Sequence, residues 1–94
     1  MSDKPRPVAK FRLGRIVATP HALEVLAHED ILAAITRHQA GDWGEVPQDD
    51  KNANDQALRA GTRILSAYRS KGVTFWIITE ADRSVSTVLL PQDY

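Results

Sequence analysis

The clearest pattern of apolar and polar positions lies in the last third of the chain. Residues 62–69 (TRILSAYR), 73–80 (VTFWIITE) and 84–90 (SVSTVLL) are rich in β-branched and aromatic side chains, the composition that suits a pleated strand. Ser70, Lys71 and Gly72 separate the first two runs, and Ala81, Asp82 and Arg83 the second two. These are turn residues, and connections so short force antiparallel neighbours. The spacing therefore predicts a three-stranded meander with residues 73–80 in the middle. Alternation sends Phe75, Ile77 and Thr79 to one face, and Thr74, Trp76, Ile78 and Glu80 to the other,. Both faces are substantially apolar here, which predicts a central strand covered by helices on at least one side.

Upstream the period changes. Phe11, Leu13, Arg15 and Val17 alternate with Arg12, Gly14, Ile16 and Ala18, which predicts a short first strand weakened by Gly14. Thr19 followed by Pro20 starts a helix, with threonine as N-cap and proline where its missing N–H costs nothing. That helix runs through Leu23, Val25 and Leu26 toward His28. Glu29 and Asp30 then favour a second helical onset. Ile31, Leu32 and Ile35 form an apolar stripe, and Gly41 after Arg37 and His38 is a stop signal,. Residues 20–40 thus read as two short helices with a bend, or one bent helix. A loop, residues 41–47 (GDWGEVP), precedes a third helix capped by Asp49 or Asp50, running through Gln56, Ala57, Leu58 and Ala60 to Gly61,. Its apolar content is thin, so it should lie on the surface with Ala57 and Leu58 inward. The fold class is α+β: an N-terminal short strand and helices packed on a C-terminal three-stranded antiparallel meander. Ile31, Ile35, Leu65, Phe75, Ile77 and Leu89 are the expected core.

Length and charge narrow this picture. Ninety-four residues allow one domain,, here residues 10–94 behind a flexible basic arm, residues 1–9 (MSDKPRPVA),. A domain of this size is marginal in stability, and a homodimer would support it. The absence of cysteine removes disulfides and thiolate metal sites,. With no apolar run longer than a strand, the expectation is a soluble, cytoplasmic protein with no membrane partner. Formal net charge is zero, which argues against a whole-molecule nucleic-acid footprint. The distribution is uneven, however. Lys4, Arg6, Lys10, Arg12 and Arg15 face only Asp3, and Arg59, Arg63, Arg69 and Lys71 form an acid-free stretch. Asp42, Glu45, Asp49, Asp50 and Asp55 make the segment between them acidic, with Lys51 the one base among them. Either these segments pair with each other and with water, or one faces a charged protein or nucleic-acid partner.

A wider pattern runs from residue 13 to residue 94. Ile16-Val17-Ala18-Thr19-Pro20 is followed by Arg37-His38 and Gly41-Asp42-Trp43-Gly44. Asn54, Ala57-Leu58, Gly61 and Leu65-Ser66-Ala67-Tyr68 come next, then Trp76 through Ser84 (WIITEADRS), Leu89-Leu90-Pro91 and Tyr94. This resembles a family of short bacterial proteins known as hypothetical or plasmid-related, with the stretch from Trp76 to Ser84 the most specific part. His21 stands where that family carries glycine, which sets it apart from any shared chemistry. The resemblance implies an accessory role on a mobile element and transfers no catalytic residue. The architecture is also similar, at fold level, to barnase-like and RelE-like ribonucleases, though none of their diagnostic motifs occurs.

Candidate chemistry follows from residue types. His21, His28 and His38 lack the spacing that lets ligands meet on a helix, so no metal site and no cofactor are expected,. Metal-free RNA cleavage needs proton-transfer groups and cationic donors. Glu80, His38 and Tyr68 suit the first role, Arg83, Arg69 and Arg63 the second, and Ser84, Ser86 and Thr87 suit holding a phosphate. A plain structural role competes, with Glu80 and Arg83 as an ion pair across a turn and His38 packed at a helix end. Trp43 is either a lid folded on the core or an exposed anchor for a partner, and Asp42 is placed to bond the local backbone. Two functions stay open. One is a non-enzymatic binding protein that uses Arg63, Arg69, Trp43 and Thr87. The other is a small metal-independent endoribonuclease built on Glu80, Arg83, His38 and Tyr68.

Overall fold

The meander forms along the predicted segments and gains a fourth strand. The computed structural model describes residues 8–94, so most of the expected arm, residues 1–7, lies outside the described residues. Chain order is β1 (Arg15–Ala18), α1 (Pro20–Val25), α2 (His28–Gln39), α3 (Gln48–Ala60), β2 (Ile64–Ser70), β3 (Val73–Thr79) and β4 (Val85–Leu89), closed by a 3-10 turn at Pro91–Asp93. β3 pairs antiparallel with both β2 and β4. β1 adds in parallel to the outer side of β4, matching Arg15 with Val85 and Ala18 with Val88. The sheet is therefore mixed, in the order β1-β4-β3-β2.

Gly14 explains why β1 starts only at Arg15. Its φ is +64°, and a Cβ there would sit 2.4 Å from the carbonyl oxygens of Arg83 and Ser84. The chain turns at that point instead of extending from Phe11.

Thr19 caps α1 through its side chain, with Pro20 at the first helical position. Leu26 and Ala27 then adopt extended backbone, so the bend is a true break between two helices. Ser70 Oγ bridges that break, accepting from the Ala27 N–H at 3.1 Å and donating to Asp30 at 2.6 Å. The expected cap of α3 is corrected. Pro47 occupies the N-cap without a side-chain bond, and Asp49 and Asp50 lie in the first turn, where the helix dipole favours them.

Side-chain alternation gives the sheet two unlike faces. α1 and α2 cover one, joining Ala22, Leu26, Ile31 and Ala34 to Tyr68, Phe75, Ile77, Val88 and Leu90 in the main core. A second cluster of Trp43, Val46, Ala57, Ile64 and Ala67 fills the space beside β2, where α3 packs. Of the expected core, Ile31, Phe75 and Ile77 are buried in the first cluster, with Ile35 packed against it. Leu65 packs on the second cluster. Leu89 is buried but pairs with Trp76, on the opposite face.

The β2 edge is closed over Leu65 and Ala67. Ala67 donates to the Trp43 carbonyl and accepts from the Glu45 N–H, while the Asn54 amide both accepts from and donates to the Leu65 main chain. Gly44 makes this approach possible: at φ +73°, a Cβ would lie 1.9 Å from the Ala67 oxygen.

Candidate functional site

His38 has no exposed surface, and both ring nitrogens are bonded. Nδ1 meets Ser66 Oγ at 2.6 Å and Nε2 meets Thr79 Oγ1 at 2.8 Å. Thr79 Oγ1 lies 2.7 Å from Ser86 Oγ, which donates to the Leu13 carbonyl at 2.7 Å. The Leu13 oxygen can only accept, and each hydroxyl has one proton to give. Ser86 therefore donates to Leu13, Thr79 to Ser86, and His38 Nε2–H to Thr79. Burial, aided by the Arg83 charge, lowers the His38 pKa to about 4, so near neutral pH the imidazole carries that one proton and Nδ1 accepts from Ser66. Phe11 and Trp43 enclose the ring, at 5.2 Å and 5.9 Å between centroids.

The polar atoms of the other expected catalytic groups are engaged with other partners. Tyr68 is buried with its hydroxyl donated to the Asp42 carbonyl at 2.6 Å, and burial pushes the phenol up to about 12. The Arg37 guanidinium stacks on the Tyr68 ring and bonds Asp42, holding that carboxylate below its ordinary pKa. Asp42 also accepts from the Gly44 N–H, the local backbone bond expected of it. The Glu80–Arg83 ion pair is corrected. Arg83 donates to main-chain carbonyls of Thr62, Glu80 and Ala57, whereas the Glu80 carboxylate sits 3.6 Å from Arg63. The φ of Arg83 is +60°, which turns its side chain back over the Phe11 ring. No single open cleft gathers His38, Tyr68, Glu80 and Arg83.

The phosphate-holding group is dispersed too: Ser86 is inside the polar chain, Ser84 bonds Asp82, and half-buried Thr87 stands on the opposite face across from Ile78. Of the two alternatives for Trp43, the lid is found. It is 4% exposed and its indole N–H donates to Asp55 at 2.9 Å. His21 Nδ1 lies 3.1 Å from Asp93, far in the fold from the His38 chain. Among the described residues no three histidine or carboxylate side chains cluster.

The open feature of the molecule lies on the face without α1 and α2. There a groove of about 290 Å³ runs between the sheet and the segment leading into α3, lined by Glu45, Val46, Pro47, Asp50, Leu65, Ala67, Arg69, Thr74 and Trp76. Trp76, on the central strand, is half-buried, with the Tyr94 ring edge-on to it at 5.9 Å. Arg63 donates to the Tyr94 hydroxyl at 2.7 Å and stacks on that ring. Arg69 pairs with Glu45 at 3.3 Å, so part of the acidic segment does pair with the basic one. Sequence reasoning named Arg63 and Arg69 for binding but passed over Trp76. The available signal was its position on the middle strand, opposite in facing to Phe75 and Ile77.

The fold and this surface define a small α+β domain whose mixed sheet is helix-covered on one face and grooved on the other. In comparisons with known proteins, no family model, no curated protein and no solved structure matches the chain.

Proposed function

We propose that this is a non-enzymatic binding protein and that the Trp76 groove receives an extended polypeptide segment with an apolar anchor beside a basic residue. The observation that carries the reading is a half-buried tryptophan lining an apolar-floored groove, the kind of anchor pocket that dominates interface energetics. Leu65, Ala67, Val46 and Pro47 supply the apolar contact. The rim holds two carboxylates, Glu45 and Asp50, against the single guanidinium of Arg69, which favours a cationic side chain and disfavours a phosphate backbone. Arg63, being tied to Glu80 and Tyr94, adds no free cation. Of the groups that would serve RNA cleavage, His38 and Tyr68 are buried with their polar atoms bonded, Arg83 is bonded to main-chain carbonyls and Glu80 lies against Arg63. The reading includes a cytoplasmic accessory role on a mobile element, as the family resemblance implies, and association of two copies.

A random peptide library panned on the protein tests it. Enriched peptides should pair an apolar residue with lysine or arginine, perturb Trp76 fluorescence, and lose binding to Trp76→Ala and Asp50→Lys variants that melt as folded proteins. Cleavage of total RNA in the presence of EDTA, or single-stranded RNA binding that competes at the groove, would overturn the proposal in favour of the ribonuclease reading.

A further inference from the structure

The two edges of the sheet are treated differently. On β2, the Trp43–Glu45 main chain and the Asn54 amide take up the outward hydrogen-bonding groups of Ala67 and Leu65, leaving those of Arg69 at the end of the strand. On β1, the Arg15 N–H bonds Ser84 and the Thr19 N–H bonds Val88, so the odd-numbered residues turn inward to β4. In a parallel pair the alternate residues then direct both main-chain groups away from the sheet. Those residues are Ile16 and Ala18, and no residue of β1 is buried. Among the described residues nothing bonds the main-chain groups of Ile16 and Ala18, and such a row of donors and acceptors is a template for another strand.

Apolar surface accompanies this edge. Ile16 is 48% exposed and lies on the helix-covered side, in register with Ser86. Val25 of α1 is 41% exposed. Leu23 borders α2 in a groove with His28, Ile31 and Leu32. Val25, two residues on and so roughly 200° round the helix, lies on the flank away from α2. Since α1 packs on β4, that is the flank toward β1.

We infer that two copies of this chain join edge to edge through β1, antiparallel and centred on Val17. That register is two-fold symmetric, as a closed dimer requires. Ile16 of each copy exchanges both main-chain bonds with Ala18 of the other, and Val17 faces Val17 across the axis. It also suits the charges. Arg15 falls opposite Thr19 of the second copy, whose hydroxyl holds the Asp93 carboxylate at 2.8 Å, and no arginine faces an arginine. Ile16 and Val25 flank the seam. The sheet becomes continuous across the dimer, and the Trp76 groove stays open on each copy, so this inference stands apart from the peptide-binding proposal.

Sedimentation equilibrium and hydrogen exchange of the full chain test it together. The wild type should show a dimer whose Ile16 and Ala18 amides become protected as concentration rises, while the inward Arg15 and Thr19 amides are protected throughout. Ile16→Lys and Val25→Lys change exposed residues, so circular dichroism should report an intact fold. Lysine at position 16 should weaken the dimer on the order of a hundredfold, by like charge and desolvation at the seam. A wild type that stays a monomer up to millimolar concentration overturns the inference. So does a dimer that survives both lysine variants or leaves the Ile16 and Ala18 amides unprotected.

Discussion

Acid should weaken this protein in a window set by His38. The folded-state pKa is lowered from 6.5 to about 4 by burial, and protonation would add a second N–H at Nδ1, where the Ser66 proton already points. For a base with a depressed folded pKa, the unfolded chain binds the proton first. The stabilising contribution is therefore complete above the unfolded pKa and is lost as pH falls from 6.5 toward about 4,. Linkage sets the full loss at roughly 3 kcal/mol, most of it gone by about pH 4.5. That is a large share of the stability of a domain this size. Urea unfolding between about pH 7.5 and about pH 4.5, at one protein concentration, measures it. His38→Gln keeps a donor for Thr79 and has no group that titrates there. It should be less stable at neutral pH, and its deficit should shrink by roughly 2–3 kcal/mol toward about pH 4.5. The lowered carboxylates, Asp42 among them, lose their contribution only at lower pH, below the ordinary carboxylate value. A deficit that stays constant across the window would refute the assignment of His38 as a buried neutral acceptor.

Phe75→Ala removes a fully buried ring from the main core and should cost about 3–5 kcal/mol; a melting temperature within a degree or two of wild type would mean the β3 faces are reversed. Gly44→Ala meets the Ala67 oxygen and a left-handed φ together, so it should cost more than about 2 kcal/mol. It should also raise acrylamide quenching of Trp43, and unchanged quenching with unchanged stability would count against the edge-closing role of this loop. Glu80→Gln loses only a half-exposed contact to Arg63 and should change unfolding free energy by less than about 1 kcal/mol. A wild-type ribonuclease activity abolished by that substitution, at unchanged stability, would return Glu80 to catalysis.

The meander, its turns and the facing of Phe75 and Ile77 were legible because local pattern and tertiary environment agree there. The capping of α1 by Thr19 was legible for the same reason. The pairing of β1 with β4 was not, since its partner lies about seventy residues away and no local rule encodes a parallel neighbour,. Pro47 displaced Asp49 and Asp50 as the α3 cap because the helix begins at Gln48, ahead of both carboxylates. Residue type predicted Arg83 as a partner for Glu80, but its left-handed backbone turns the guanidinium toward carbonyls. From the sequence, Asn54 was legible only as part of the wider pattern, with no role of its own. Its role appears only once α3 lies beside the β2 edge, where its amide stands in for a missing strand.

The polar chain through His38 shows how residue types suited to catalysis can serve the packing of a sheet. Ser66, Thr79 and Ser86 lie on three adjacent strands and on one face, with Thr79 directly opposite Ser86. A shift of any of these strands by one residue would turn a hydroxyl away and present the neighbouring side chain, such as Ile78 in place of Thr79, to a buried imidazole. The unpaired nitrogen would then carry its full desolvation cost. An apolar core would tolerate such a slip more readily, because one β-branched side chain packs much like the next. The histidine, serines and threonine that look like active-site chemistry in one dimension thus set strand register in three. On the proposed reading, a partner meets other side chains: a tryptophan, small apolar residues and the carboxylates at the groove's rim.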